Sequence, residues 1–468
     1  MPLNPIPGSS GFDNLFGTDQ ADLMTALQGN DAAVGGLGDD HIYGGSGDDY
    51  LFGAEDNDRV FGGTGNDFVG GGDGNDQLSG GDGNDTLANQ SGNDTMYGGL
   101  GNDQLYGGLS QAGGTQVLYG GDGDDQLRFA QGQSGIADGG AGVDLLTLYW
   151  YDPAVDGIPV TVNLTGPLAG ALLGSTAILF SGVERLIVYT IGGDDSIIGG
   201  DLDDQIYVNL GANTVFGLGG DDKIGYLAAD VNLIDAGDGI DTIRIASAHH
   251  GPTLLVVNGT TATDGFGSTL LNAENFEVLG GFLNDVALFG AGNDLFVGSR
   301  GDDRADGMAG NETLRGGNGK DLLNGGDDND QIKGGADDDT LIGGAGDDTL
   351  DGNAGFDLLT GGLGADTFRL TSIDTSATYV TDFQSGTDRI AIEIGKTGAV
   401  IDIRGALDPS LFNIGAAVGG QAQFVYIDDF GPLSRLVYDF NGDAAGGELT
   451  FCQFTGTVAL SAGDIFMI

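Results

Sequence analysis

The chain has 468 residues, 93 of them glycine, and its 15 Lys and Arg against 70 Asp and Glu give a formal charge of −55. Such a charge repels phosphate backbones and anionic lipid heads, which makes nucleic acid and membrane surfaces poor partners. Only 9 prolines and no Gly-X-Y period exclude collagen, and 40% apolar residues are too many for a simple disordered polyanion. The lone cysteine, Cys452, excludes an internal disulfide framework and reads as a small buried apolar residue. MPLNPIPGSS at the start has neither a basic nor an apolar signal region, so no cleaved secretory peptide is expected. The longest nearly apolar run, 168–180, is too short and too glycine-broken to span a bilayer, so a soluble chain is expected.

After a tail at 1–7, the chain falls into nine-residue units that begin at 8, 17, 26, 35, 44, 53, 62, 71, 80, 89 and 98. Their sixth residue is always Asp: Asp13, Asp22, Asp31, Asp40, Asp49, Asp58, Asp67, Asp76, Asp85, Asp94 and Asp103. Their eighth is always apolar, from Leu15 and Met24 to Met96 and Leu105. An irregular unit at 107 lacks the Asp, and regular units resume with Asp125/Leu127 and Asp144/Leu146 to complete a first array, 8–147. Residues 148–189 read as an irregular β insert and 190–244 as a degenerate second array with Asp195, Asp204, Asp222 and Asp241, interrupted by Leu202 and Asn213. A second β insert, 245–279, leads into a third array, 280–369. Its sixth positions are Asp285, Asp294, Asp303, Glu312, Asp321, Asp330, Asp339, Asp348, Asp357 and Asp366. Within the inserts, 160–164, 186–189, 254–257 and 275–278 carry β-branched and apolar runs that predict short strands. Residues 370–468 form a separate C-terminal region.

The hexad Gly-Gly-x-Gly-x-Asp occurs 11 times, as at Gly35–Asp40 and Gly343–Asp348, where chance predicts about one or fewer. It resembles the calcium-binding nonapeptide of repeats-in-toxin (RTX) proteins. The resemblance implies an all-β fold, a right-handed parallel β-roll or β-solenoid in which two units make one turn and loops of successive turns clamp calcium. Glycine lets six residues turn tightly, the closing Asp adds carboxylate oxygen, and calcium takes six to eight oxygens. The last three residues of each unit predict a short strand with its middle residue inward. The ligand positions so implied are Asp40, Asp49, Asp58, Asp67, Asp76, Asp85, Asp94, Asp103, Asp125, Asp144, Asp294, Asp303, Asp321, Asp330, Asp339, Asp348, Asp357 and Asp366. The loop glycines implied with them are Gly35, Gly44, Gly62, Gly71, Gly80, Gly98, Gly316, Gly325, Gly334 and Gly343.

Departures follow the same chemistry. Asp56, Asp328 and Asp337 replace the fourth-position glycine, and Asp tolerates the left-handed region. The first three units, with Gln20 and Ala26, are expected to cap the stack, while Glu312 and the second array weaken the calcium pattern. One inward apolar side chain per unit cannot offset the entropy of ordering nine residues, and rows of Asp repel, so the roll is expected to fold as it binds calcium. With 27 sixth-position carboxylates shared between neighbouring loops, about 20 ions fit, leaving a charge around −15. The alternative is an acidic solenoid without metal.

Catalytic patterns are sparse. Of His41, His249 and His250, none belongs to a His-Glu-x-x-His helix, and His41 reads as a surface residue. The His249–His250 pair has no third metal ligand beside it in sequence, and no Gly-x-Ser-x-Gly elbow occurs. Tyr149-Trp-Tyr-Asp152 reads as a hydrophobic plug or a sugar-stacking site. Arg300-Gly-Asp302 and the GxGxxG-like strings are by-products of the repeat, and Asp439-x-Asn-x-Asp443 departs from an EF-hand loop at Ala444 and Thr450.

The C-terminal region carries a second resemblance. Gly361-Gly-Leu-Gly-Ala-Asp-Thr-Phe368, Thr381-Asp-Phe383, Gly386-Thr-Asp-Arg-Ile390 and the ending Asp464-Ile-Phe-Met-Ile468 are similar to the last domain of serralysin-type secreted proteases. That resemblance implies a cap on the roll and an uncleaved signal for a type I exporter. The expectation is a secreted, extracellular calcium-binding protein with a structural or adhesive role, whose partners are calcium, the exporter and cell-surface polysaccharide or further copies of itself. The competing expectation is a secreted hydrolase, such as a carbohydrate-active one, with its site in the inserts.

Overall fold

The computed structural model describes residues 3–108, 114–129, 133–149, 160–164, 170–173, 176–190, 192–247, 253–258, 261–264, 268–370, 378–384 and 386–392, together with the backbone of six strands between 405 and 467. Strands are the only regular elements among the described residues. The chain divides into two compact units, 1–226 with 230–241, and 227–229 with 242–468.

In the first unit consecutive strands alternate between two parallel sheets. Asp22–Gln28, His41–Ser46, Arg59–Thr64 and Gln77–Asp82 follow one another in one sheet. Ala32–Gly36, Tyr50–Glu55 and Phe68–Asp73 follow one another in the other. Registers such as Leu51↔Val69 and Val60↔Leu78 are 18 residues apart, so two nonapeptides make one turn. The regular strands are six residues long, twice the predicted length, because they run on through the first three positions of the next unit. Their burial alternates, with the apolar eighth residue and the next unit's first glycine facing inward. Met24, Ile42, Leu51, Leu78 and Leu105 are fully enclosed, whereas Phe12 and Phe16 of the first repeat are exposed. The core is therefore one apolar side chain thick per strand, flanked by glycine and Asp.

The insert between the regular arrays joins the same sheets. Arg185–Tyr189 pairs in parallel with Leu145–Tyr149, and Thr176–Ser181 pairs in parallel with Ser134–Ala141. Between them Val160–Asn163, Gly170–Leu173 and Thr176–Ser181 form an antiparallel meander, from which Val160–Asn163 passes in parallel to Ser196–Ile198.

The second unit repeats this plan. Leu254–Asn258, Thr261–Asp264 and Thr269–Leu271 form a meander, and Leu254–Asn258 continues in parallel to Val286–Leu288. From Leu295–Arg300 to Thr367–Leu370 the two sheets again advance 18 residues per turn. After 370 the ladder continues through Thr378–Val380 and Arg389–Ile392, then gives way to antiparallel pairing of Gln423–Asp428, Leu433–Asp439 and Glu448–Thr455.

Candidate metal centre

The loops between strands are made by positive backbone angles at the second and fourth positions. Gly45 at φ 112° and Gly47 at φ 120° show why glycine recurs there. Asp56, Asp328 and Asp337 take φ of 74°, 76° and 78°, as expected for Asp at the fourth position. Leu27, Ala54, Leu218, Ser299, Met308 and Asn353 adopt the same region at the second position.

All eighteen candidate Asp residues are buried, at 3% exposure or less. Each row is stitched by its own backbone: the N–H of Asp40 donates to Asp58 Oδ1 (2.8 Å), Asp58 to Asp76 and Asp76 to Asp94. A second row runs from Asp31 through Asp49, Asp67, Asp85, Asp103 and Asp125 to Asp144. In the second unit Asp285, Asp303, Asp321, Asp339 and Asp357 form one row, and Glu312, Asp330, Asp348 and Asp366 form another. Oδ1 is thus used throughout these rows.

Oδ2 is not. At Asp40, Asp49, Asp58, Asp67, Asp76, Asp85, Asp94, Asp103, Asp125, Asp144, Asp294, Asp303, Asp321, Asp330, Asp339, Asp348 and Asp366 the second carboxylate oxygen is buried and receives no hydrogen bond. Except at Asp94 and Asp294, whose loops open with Asn89 and Phe289, each faces the first glycine of its own loop. A β-carbon at Gly35, Gly44, Gly62, Gly98 or Gly343 would overlap both that Oδ2 and the first-position carbonyl oxygen one turn on. At Gly71, Gly80, Gly316, Gly325 and Gly334 it would overlap the loop's own carboxylate. The cradle therefore presents hard oxygen, carboxylate and carbonyl, with no donor to meet it.

A buried acceptor without a donor is costly, and a buried anion more so. Burial, with the carboxylates of Asp76 and Asp40 adding to it, pushes Asp58 up to about 8, and burial with Asp321 and Asp357 does the same to Asp339. Asp67, Asp103 and Asp303 rise to about 7 for the same reasons. Calcium fits this donor set, which is oxygen only, anionic and flexible. Among the described residues no three His, Cys, Asp or Glu side chains converge, so an ion here draws on loop carbonyls as well as carboxylates.

The sixth-position carboxylates outside the candidate set divide into two kinds. Asp31 and Asp222 share the orphaned Oδ2. Ala26 and Leu218 had disguised their loops, yet Leu27 and Leu218 take the left-handed angle that a second-position glycine usually supplies. Glu312 is buried with neither oxygen receiving a donor, and burial beside Asp330 pushes it up to about 9. Asp22 differs: its Oδ2 accepts the Thr18 N–H (2.6 Å) and the Thr18 hydroxyl (3.0 Å). Ser9 serves Asp13 in the same way, Thr190 serves Asp195 through its hydroxyl, and the Gly200 N–H serves Asp204.

Corner motifs terminate the rows. Glu184 Oε2 accepts the Asp144 N–H (2.9 Å). Asp388 Oδ1 accepts the Asp366 N–H (3.2 Å), and Asp382 receives the N–H groups of Gly361 and Gly362. A further ladder escaped the sequence reading: fifth-position Asn and Asp side chains accept the fifth-position N–H one turn on, as from Asn75 to Asn57 and from Asn84 to Asn66. The unbroken Asn or Asp at 30, 39, 48, 57, 66, 75, 84, 93 and 102 was its signal. His41 lies on the outer face, 3.4 Å from Arg59. Trp150, Tyr151, Asp152, His249, His250, Asp443 and Ala444 lie outside the described residues, as do the side chains of Asp439, Thr450 and Cys452.

No curated protein matches this chain. Among solved structures, the extracellular lipase LipA from Serratia marcescens matches at 17% identity and a TM-score of 0.17. That match covers 62% of this chain and 44% of the lipase. The model of the RTX calcium-binding nonapeptide repeat matches residues 7–41, 25–60, 52–87, 90–110, 113–134, 189–224, 290–323, 306–341, 315–350, 324–359 and 342–370, together just over half of the chain. Family model, 18-residue turn and oxygen-lined loops agree: the chain belongs to the RTX calcium-binding nonapeptide repeat family.

Proposed function

We propose that this protein is a secreted, extracellular scaffold whose rolls are completed by calcium, with about 20 ions shared between loops of successive turns. The sixth-position carboxylates from Asp40 to Asp144 and from Asp294 to Asp366 hold the ions through Oδ2, and the loop carbonyls fill the remaining coordination. The observation that carries this reading is the run of buried Oδ2 atoms without donors. Calcium supplies positive charge where the protein has stacked carboxylates one strand spacing apart, so its binding free energy becomes folding free energy.

This linkage gives the charge a purpose. At low cytosolic calcium the chain stays unfolded and can pass a type I exporter with the C-terminal region as its signal. Outside the cell calcium closes the loops. A structural or adhesive role at a cell surface or in a matrix follows from a chain made almost wholly of roll and cap. Calcium titration of chelator-stripped protein tests the proposal, with far-UV circular dichroism reporting folding and equilibrium dialysis counting ions. A cooperative gain of β signal with about 20 ions is expected, and magnesium should not reproduce it. An unchanged spectrum, or only one or two ions bound, refutes it.

A further inference from the structure

A cavity of about 270 Å³ opens on the outer face of one sheet in the second unit. Its floor is a single row of side chains in register, Arg315↔Lys333↔Asp351↔Arg369, on four successive turns. The whole chain has only 15 Lys and Arg, and three of them stand in this row. Arg315 and Lys333 are exposed and directly adjacent, an arrangement that costs energy unless an anion joins them. With 70 acids in the chain, no described carboxylate pairs with either.

The buried member of the row, Asp351, stands between Lys333 and Arg369. Asp351 Oδ1 accepts the Asn353 N–H (3.2 Å), and its Oδ2 stands 4.0 Å from Arg369 Nε. That Nε is itself enclosed and has no acceptor within hydrogen-bond distance. The cavity thus contains an unanswered buried donor beside two unanswered cations. Gln331 and Thr349 complete its wall with neutral hydrogen-bonding groups.

We propose that this cavity binds a carboxylate-bearing sugar residue, a hexuronate. Arg315 and Lys333 take the carboxylate, where a planar guanidinium can donate two parallel bonds. Gln331 and Thr349 take ring hydroxyls, and Arg369 supplies its free donor. Size limits the ligand to about one sugar, since the volume falls at the small end of ligand pockets. The net charge, −55 for the chain and still about −15 with about 20 calcium ions bound, repels dense polyanions, which selects an acidic sugar within a sparsely charged glycan over nucleic acid or an anionic membrane. The inference rests on the extracellular scaffold reading and names a surface component for it to hold.

Isothermal titration of the full chain, at saturating and constant free calcium, tests this with glucuronate, glucose, acetate and sulfate as probes. Glucuronate should bind, and glucose, acetate and sulfate should each bind about tenfold more weakly or worse. The double variant Arg315→Ala/Lys333→Ala should lose glucuronate about tenfold or more, while Lys320→Ala should not. Both variants should retain the calcium-induced circular dichroism change, because these side chains are exposed. Equal binding of acetate or sulfate overturns the sugar assignment. Failure of glucuronate to bind, or full binding by the double variant, overturns the site. A chain that folds with calcium but ignores glucuronate defeats this inference alone, whereas a chain that does not fold with calcium defeats the scaffold reading.

Discussion

The loops that end in Asp22 and Asp40 follow one plan, stand one turn apart and treat the same carboxylate differently. Asp22 Oδ1 accepts the Asn4 side-chain amide (2.7 Å), and Thr18 gives its Oδ2 both an N–H and a hydroxyl. Asp40 Oδ1 accepts the Asp22 N–H (2.7 Å), but Gly36 replaces the threonine and Oδ2 receives nothing. Thr18 closes its loop with protein donors alone; with Gly36 in that place the Asp40 loop is left to be closed by something else. Burial does not separate the two kinds, since Asp204 is pushed up to about 7 even with the Gly200 N–H on its Oδ2. The donor-free oxygen does.

The largest effect should come from removing calcium. Hydrogen exchange after chelation should lose protection first where Oδ2 is orphaned, across 35–144 and 294–366. The stretch 195–216, whose Asp195, Asp204 and Asn213 side chains have protein partners, should keep protection longer. Uniform protection before and after chelation breaks the comparison.

Next in size is the pH dependence of the metal-free chain. Asp58 and Asp339 hold their protons to about 8, and Asp67, Asp103 and Asp303 to about 7, against 3.8 for an ordinary Asp. The folded roll therefore binds more protons than the unfolded chain between these values, and its stability falls as pH rises. That contribution is complete below about 4 and is lost progressively as pH rises from about 4 to about 8. In chelator, circular dichroism should show β structure at pH 4 that melts by pH 8, and saturating calcium should abolish the difference. Greater metal-free order at pH 8 than at pH 4 contradicts the assignment.

The arrays were legible because the repeat writes its fold at fixed positions: glycine where φ is positive, Asp where the loop closes, one apolar residue inward. Asp31 and Asp222 were harder to read because Leu27 and Leu218 occupy glycine's backbone angle at an energetic cost that composition does not display. The roles of Thr18 and Thr190 were hidden for a different reason. Whether a carboxylate needs a metal depends on a donor four or five residues away, and nothing in the spacing of Asp reports it. The cation row was invisible too, since Arg315, Lys333 and Arg369 become neighbours only through the 18-residue turn.

A smaller effect separates single loops. Asp49→Asn removes a buried charge but keeps an acceptor for the Asp31 N–H, so the metal-free roll should gain about 1 kcal/mol while calcium affinity at that loop falls. Asp22→Asn replaces an acceptor of two Thr18 bonds by an amide donor, and should cost about 1–2 kcal/mol with the calcium count unchanged. Urea melts in chelator, paired with equilibrium dialysis, read both quantities. Changes of the same sign in the two variants would mean that the loops are equivalent after all.

The smallest effect concerns the backbone that makes either kind of loop. Met308 holds φ at 73° in a second position, where an L side chain costs about 1–2 kcal/mol over glycine. Glycine there also loses more freedom on folding, by about 0.5–1 kcal/mol, so Met308→Gly should stabilise the loaded roll by about 1 kcal/mol or less. Leu100, equally exposed at a third position and outside the positive-φ region, supplies the control. Leu100→Gly gains nothing from relieved strain and keeps the entropic cost, so it should destabilise. Thermal melts of the calcium-loaded variants should move in opposite directions. If both fall together, the left-handed angle at second positions is not what selects glycine.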